Sequence, residues 1–324
     1  MVNARYLVSR AIGSLVTFFV VLVLNFVLPR LLPESPAQIL ASNARLPQVV
    51  AAQLTIKFGL DQPVYVQFEK YLLGVFSWPP NLGVSYSFYP SSVLSIILQR
   101  LPWTLFLVGS AVFVSWILGT LLGIAASMRS RSLFDNSSLV GAIVIYTFPA
   151  FWIGLFLLWF FGIEFRIFPV FGAFSTSSTG VLSFLSSAGL HAVLPILALV
   201  LANFSGYFLL MRNNMINVMR EDFVILERAK GVSDFRIVLN HIARNAMLPV
   251  FSLLSMNLGL VVSGAIGIEI VFSYPGVGYL IYQAVTSHDY PLIQGTFLVI
   301  SVAVILMNFV ADVLYGYIDP RAKP

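Results

Sequence analysis

The sequence predicts an all-α integral membrane protein with six transmembrane helices. Hydrophobic residues make up 59% of the 324 residues and charged residues only 10%, whereas soluble domains carry about 45–50% apolar and about 25% charged residues. The mean hydropathy is +0.92. This composition excludes a disordered chain, a nucleic-acid-binding protein and an ordinary soluble enzyme. The absence of cysteine also excludes disulfides and thiolate chemistry.

Six runs of about 20 apolar residues, the length that crosses a bilayer, predict the spans. Each run contains at most one charged residue. The predicted spans are 11–29, 101–128, 139–162, 191–211, 248–272 and 291–317.

Lys and Arg are distributed unevenly between the loops, and this asymmetry predicts the orientation. The side that holds both termini carries twelve of the 18 basic residues, in shorter loops. These twelve are Arg5, Arg10, Arg129, Arg131, Arg212, Arg220, Arg228, Lys230, Arg236, Arg244, Arg321 and Lys323. We therefore expect a multi-pass protein of the cell membrane with both termini in the cytoplasm.

The spans divide the chain into three parts. Residues 1–32 form the N-terminal tail and the first transmembrane helix. Residues 33–100 are rich in Pro, Gly and aromatic residues, and we interpret them as an extracytoplasmic subdomain with a helix over 48–58. Residues 101–324 form a five-helix core, with a cytoplasmic loop at 212–247.

The sequence shows no chemistry of its own that could drive transport. It contains no phosphate-binding G-x-x-x-x-G-K-[ST] motif. The three histidines, His191, His241 and His288, fall in separate loops or helix ends on both sides of the membrane, so we expect no metal site. Paired catalytic groups at mid-membrane are also absent, which argues against an enzyme.

Charged residues inside the predicted spans are rare and costly, so they are candidate functional residues. Only Glu269 and Asp312 qualify. Asn308 lies four residues before Asp312 and therefore shares its helix face. One interpretation is a set of interhelical hydrogen bonds. The alternative is a relay or a substrate contact.

The loop at 212–247 holds about a third of the basic residues. Residues 221–230 predict a short helix that ends at Gly231, and a second helix begins at Ser233 or Asp234. Apolar residues of the second helix recur at helical spacing, namely Phe235, Val238, Leu239 and Ile242. This amphipathic helix could lie on the bilayer surface or dock into a groove of a soluble partner.

The same loop resembles the "EAA" coupling loop of ABC importer permeases, in the form found in the dipeptide/oligopeptide family. The resemblance rests on Arg228-Ala229-Lys230-Gly231, Arg236 and His241-Ile242-Ala243-Arg244-Asn245-Ala246-Met247-Leu248-Pro249. Glu227 departs from the family, which often has Ala there.

Other motifs extend the resemblance along the chain. Phe58-Gly59-Leu60-Asp61-Gln62-Pro63 resembles G-L-D-x-P, and Asn81-Leu82-Gly83-Val84-Ser85 resembles G-D-L-G-x-S with Asn in place of Asp. Glu269-Ile270-Val271-Phe272-Ser273-Tyr274-Pro275-Gly276-Val277-Gly278 resembles E-x-V-F-x-x-P-G-x-G, and Asp289-Tyr290-Pro291 follows.

The resemblance implies a type I ABC importer permease fold and a set of partners. These are a homologous second permease subunit, two cytoplasmic ATPase subunits that hold ATP and Mg, an extracytoplasmic solute-binding protein and the lipid bilayer. This chain itself would hold no cofactor. The residues assigned to ATPase coupling are Glu227, Arg228, Ala229, Lys230, Gly231, Phe235, Arg236, Arg244 and Asn245. Glu269 is placed at the outer mouth.

No substrate-binding residue can be assigned from the sequence. The 81–90, 101–105 and 272–280 segments look closer to the oligosaccharide branch of the family, which includes cellobiose and other β-glucoside importers. We therefore expect oligosaccharide uptake, with di- or oligopeptide uptake as the alternative. A rival from another class is an ion-coupled secondary carrier, which would depend on Glu269 or Asp312 and need no ATPase.

Overall fold

A computed structural model describes residues 4–31, 48–58, 60–175, 180–263 and 265–318. These residues form helices, with only an isolated antiparallel bridge between Val84 and Ser92. The helices, in chain order, are α1 (Ala4–Val27), α2 (Gln48–Phe58), α3 (Val64–Val75), α4 (Val93–Met128), α5 (Leu133–Tyr146), α6 (Ala150–Leu157), α7 (Val181–Val218), α8 (Asp222–Ala229), α9 (Asp234–Ile237), α10 (Ala243–Leu260), α11 (Ile266–Val271), α12 (Val277–Thr286) and α13 (Tyr290–Ile318).

Five described helical segments are long and apolar enough to cross a membrane. They are Val8–Leu31, Val93–Met128, Val181–Val218, Asp234–Ser263 and Tyr290–Val310. With the bent pair α5 and α6 counted as one more span, the number reaches the six that the sequence predicts.

The predicted third span, 139–162, is not one straight helix. Helices α5 and α6 meet at an angle of 98°. The break lies at Pro149, the residue that precedes α6, which has an extended ψ of 140°. Proline has no N–H to continue the helical hydrogen bonds and disfavours helical geometry in the residue before it, so α5 ends at this point. A π-helical turn, Leu158–Glu164, continues α6.

The fifth span also differs from its predicted bounds of 248–272. A π-helical turn, Val238–Ile242, joins α9 to α10, so helical structure runs from Asp234 to Ser263. The second loop helix is therefore continuous with the span that follows it. Glu269 lies on the separate short helix α11.

Helices α4 and α7 form the most extensive contact of the fold. A Cβ added at Gly119 would lie 2.5 Å from the Phe204 carbonyl oxygen, and one at Gly123 would lie 2.8 Å from the Cβ of Met211. These glycines are four residues apart on one face of α4, a spacing that lets two membrane helices approach closely. Helix α1 packs on α13, and α10 packs between α7 and α13.

The segment between the first two spans contains α2 and α3. Helix α2 has the predicted bounds, while residues 32–47 lie outside the described part of the chain. Helix α4 begins at Val93, where the Ser92 side chain accepts a hydrogen bond from the Ser95 N–H. The predicted boundary at residue 100 therefore falls inside α4. The Arg30 guanidinium donates to Gln67 Oε1, which joins the end of α1 to α3.

Candidate functional site

Helices α8 and α9 form a bend, which we call the elbow (residues 222–237). Helix α8 ends as the sequence predicts, because Gly231 follows it with a φ of +80°. The Val232 N–H then donates to the Glu227 carbonyl oxygen at 3.3 Å. Glycine adopts this left-handed conformation without steric cost, which closes the helix and redirects the chain into α9.

The buried side of the elbow packs on the end of α7. Val224 and Ile237 are fully buried in a cluster with Met211 and Met215 of α7. Ile242 in the π-helical turn belongs to the same cluster. The elbow is therefore fixed to two membrane helices, α7 before it and α10 after it.

The outer side of the elbow is apolar and uncovered. Phe235 is 66% exposed, Ile225 62% and Leu226 55%. The predicted apolar face of Phe235, Val238, Leu239 and Ile242 is thus divided: Val238 and Ile242 are buried, whereas Phe235 and Leu239 are exposed. The π-helical turn that begins at Val238 changes the helical register and contributes to this division.

Charged side chains surround this apolar surface. Lys230 Nζ donates to Glu227 Oε1 at 2.9 Å, and this hydrogen bond lowers the pKa of the Glu227 carboxyl below its usual value. Arg228 Nε donates to Asp234 Oδ1 at 2.9 Å and so links α8 to α9. Such surface pairs contribute little to stability, because water and salt screen them.

The remaining residues assigned to coupling also lie at the surface of this segment. The exposed members of that set are Arg228, Ala229, Lys230, Gly231, Phe235, Arg236, Arg244 and Asn245, while Glu227 is partly buried. An exposed apolar surface with cations at its edge is compatible with both expectations, contact with the bilayer surface and docking into a partner's groove.

A buried ion pair that the sequence analysis missed anchors the start of the same segment. Arg212, near the end of α7, donates from Nε to Asp135 Oδ1 at 2.6 Å and from Nη2 to Asp135 Oδ2 at 2.7 Å. The Arg131 N–H also donates to this carboxylate. Asp135 is fully buried. The only local signal was a Ser132-x-x-Asp135 capping pattern at the start of α5.

Glu269 is fully buried at a junction of α4, α11 and α12, which we call the Glu269 cluster. Thr104 Oγ1 donates to Glu269 Oε1 at 2.9 Å and accepts from the Val277 N–H at 2.7 Å. The Tyr279 N–H donates to Glu269 Oε2 at 2.9 Å. A Cβ on Gly276 would collide with the Glu269 carboxylate. The spacing of the E-x-V-F-x-x-P-G-x-G pattern therefore has a packing reason.

Asp289 is a second buried carboxylate, in the turn before α13. Ser85 Oγ donates to Asp289 Oδ2 at 2.5 Å and the Ser87 N–H donates to the same atom at 2.9 Å. The Leu292 N–H donates to Oδ1 at 3.2 Å. The hydrogen bond from Ser85 to Asp289 brings together two segments that carry the family resemblance, 81–85 and 289–291.

Two of the predicted intramembrane polar residues lie on different helices, Glu269 on α11 and Asn308 on α13. Asn308 is exposed on α13 and lies against Gly259 of α10, where an added Cβ would be 2.5 Å from Asn308 Oδ1. The Glu269 cluster involves other helices. The side chain of Asp312 lies outside the described residues. In the described part of the chain, no group of three or more His, Cys, Asp or Glu side chains could hold a metal ion.

Two family models match the chain. The model described as "Binding-protein-dependent transport system inner membrane component" matches residues 119–324. The model for the N-terminal part of such membrane components matches residues 3–108. Together they cover most of the chain.

Curated relatives match nearly the full length. The Di/tripeptide transport system permease protein DppB of Pseudomonas aeruginosa is 33% identical, with 98% of each chain covered. The Glutathione transport system permease protein GsiC of Salmonella paratyphi A is 34% identical, over 98% of this chain and 99% of the relative. The Dipeptide transport system permease protein DppB of Escherichia coli is 30% identical, with 98% of each covered.

A solved structure of the MetNI methionine ABC transporter in an inward-facing conformation has the same fold. Its TM-score is 0.56 at 13% sequence identity, over 70% of this chain and 98% of that chain. The predicted ABC importer permease fold is confirmed. The chain belongs to the family of binding-protein-dependent transport system inner membrane components, and it is a multi-pass ABC importer permease.

Proposed function

We propose that this chain is the membrane-spanning subunit of an ATP-driven importer that takes up di- or oligopeptides. The observation that carries the substrate class is the full-length similarity to permeases whose names specify dipeptide, di/tripeptide or glutathione transport. Oligosaccharide uptake, which three short segments led us to expect, receives no support from these names. Peptide uptake, the alternative, replaces it.

The proposed complex contains a homologous second permease, two ATPase subunits and a binding protein that delivers the peptide. Membership of the family supports an ATPase and a binding protein in general. We assign the ATPase contact to the elbow and the ATP and Mg to the ATPase chains. The excess of Lys and Arg supports a cytoplasmic position for the elbow and both termini.

The elbow is suited to transmit motion from an ATPase to the membrane. Its exposed Ile225, Leu226 and Phe235 supply an apolar docking surface. Its buried Val224 and Ile237 fix that surface to the end of α7, and the helical path into α10 is continuous. A displacement of the elbow would therefore move α7 and α10 together.

Uptake into proteoliposomes that contain the whole complex and its binding protein tests the proposal. We expect accumulation of a labelled dipeptide only when ATP is present at the ATPase side, and no accumulation of a labelled β-linked oligosaccharide. ATP-driven uptake of the oligosaccharide instead would refute the substrate class. Uptake that follows an ion gradient without ATP would refute the importer.

A further inference from the structure

A cavity of about 460 Å³ lies between α3, the C-terminal end of α1 and the N-terminal end of α13. This volume is in the range of small-molecule sites. The polar side chains that line it include Arg30, Gln67, Lys70, Tyr71, Tyr86 and Gln294. Neither the Glu269 cluster nor the elbow contributes to its lining.

The side chains that line the cavity carry a net positive charge, although the buried carboxylate of Asp289 interacts electrostatically with Tyr86. Arg30 and Lys70 line it, and none of the lining residues is Asp or Glu. The Arg30 guanidinium is held in place by neutral partners: it donates to Gln67 Oε1 at 2.9 and 3.1 Å and to the Phe26 carbonyl oxygen at 2.8 Å. Its positive charge is therefore oriented but not neutralised by these contacts, and an anion would complement it.

The walls of the cavity are fixed by hydrogen bonds between the three helices. Asn25 of α1 donates to the Tyr71 hydroxyl of α3 at 3.2 Å and to the Gln294 carbonyl oxygen of α13 at 2.8 Å. Gln294 Nε2 donates back to the Asn25 carbonyl oxygen at 2.9 Å. Lys70 follows Gln67 by three residues and so shares its face of α3. The two cations therefore line the same cavity, where hydrogen bonds hold Arg30 in place and Lys70 is exposed.

A tyrosine adds a hydrogen-bond donor to the lining. Tyr86 is 2% exposed, and burial raises the pKa of its hydroxyl, which stays protonated at neutral pH. A protonated phenol can donate to an anionic oxygen.

Apolar side chains also line the cavity, which extends to the membrane-spanning part of α13. Leu73, Leu82 and Leu298 contribute to the lining. Leu298 belongs to the segment Tyr290–Val310, which is long and apolar enough to span a membrane, and Arg30 lies at the end of Val8–Leu31. An anionic phospholipid has this pattern of groups. Its headgroup would complement the cations at the end of a span, and its acyl chains would complement the apolar side chains next to them.

We propose that this cavity binds the phosphodiester headgroup of an anionic phospholipid through Arg30 and Lys70, with an acyl chain along the exposed Leu73. Such a lipid would join the segment between the first two spans to α1 and α13. The description of the family and the names of the relatives mention no lipid site. The proposal is independent of the transported substrate.

Lipid titration of the purified, delipidated complex in a neutral detergent tests this proposal. Native mass spectrometry measures the affinity for phosphatidylglycerol, for phosphatidylcholine with the same acyl chains and for glycerol 1-phosphate. We expect saturable binding of phosphatidylglycerol that is clearly tighter than binding of the other two. Equal affinity for phosphatidylcholine would overturn the anionic site, and equal affinity for glycerol 1-phosphate would overturn the lipid as its ligand.

Variants of Lys70 separate this cavity from general attraction to charge. Lys70 is exposed, so Lys70→Gln leaves the packing intact. We expect it to weaken phosphatidylglycerol binding roughly fivefold, because one basic residue near a membrane surface contributes about that factor. Lys70→Arg keeps the charge and should stay within about twofold of the unmodified chain. Arg166→Gln removes an exposed cation elsewhere and should also stay within about twofold. Equal effects of Lys70→Gln and Arg166→Gln would overturn the site.

Discussion

The hydroxyl of Thr104 holds the Glu269 cluster together, and replacing Thr104 with Val removes it at nearly constant volume. The Val277 N–H then loses its acceptor and Glu269 Oε1 loses a donor. A buried N–H without a partner costs about 1–3 kcal/mol, and a hydrogen bond to a charged group contributes about 1.5–3 kcal/mol. We therefore expect Thr104→Val to destabilise the chain by about 3 kcal/mol or more.

Thr296→Val is the matched control for this substitution. Thr296 is also fully buried, but its hydroxyl donates only to the Leu292 carbonyl oxygen within α13. A neutral hydrogen bond of this kind contributes about 0.5–1.5 kcal/mol. The difference between the two variants should be about 2 kcal/mol, and Thr104→Ser should recover most of the loss because it restores the hydroxyl.

Thermal unfolding of the purified complex at one fixed scan rate measures this difference. For a chain of 324 residues, with an unfolding entropy of about 2.1 cal/mol/K per residue, about 2 kcal/mol lowers the Tm by roughly 3 °C. We expect Thr104→Val to unfold lower than Thr296→Val by an amount of this order. Equal Tm values for the two variants would refute the role assigned to the Thr104 hydroxyl.

Two other substitutions test the ion pair and the elbow. Asp135→Asn should destabilise the chain by about 3 kcal/mol, because it leaves the Arg212 charge without its buried partner. The control Asp234→Asn, which breaks an exposed pair, should cost less than about 1 kcal/mol. Equal losses of Tm in the two variants would contradict the role of the buried ion pair. Gly231→Val forces a side chain into a φ of +80° without a steric clash and should lower peptide uptake per ATP hydrolysed. The control Gly172→Val, with a φ of +82° in another loop, should leave this ratio unchanged. Equal uptake ratios in the two variants would exclude a role of the elbow bend in coupling.

Local signals allowed the sequence to predict parts of the fold. Helix α2 and the end of α8 at Gly231 follow from helix periodicity and capping, which depend on neighbouring residues. The spans follow from composition. The sequence shows Pro149 but not the break, because a proline can either kink a membrane helix or end it, and the surrounding packing decides which.

Long-range pairs could not be predicted. Asp135 and Arg212 are 77 residues apart in sequence, and Thr104 and Glu269 are 165 apart. From the sequence alone, Arg212 served to predict orientation, and Thr104 was one residue of the 101–105 segment. A single sequence does not show which buried acceptor meets which donor. Nor does the helical spacing show which residues of one apolar face are exposed, as Phe235 is, and which are buried, as Val238 is.

The proposed coupling of ATP hydrolysis to transport requires the elbow to be the docking surface for the ATPase. Burial of a phenylalanine side chain contributes about 1.5–3 kcal/mol, so Phe235→Glu should weaken docking by an order of magnitude or more. Phe171→Glu is the control, because Phe171 is 61% exposed in a different loop. The measurement is the amount of ATPase that co-purifies with each permease variant from membranes. We predict loss of most of the ATPase for Phe235→Glu and full retention for Phe171→Glu. Equal retention in both variants would contradict the assignment of the elbow.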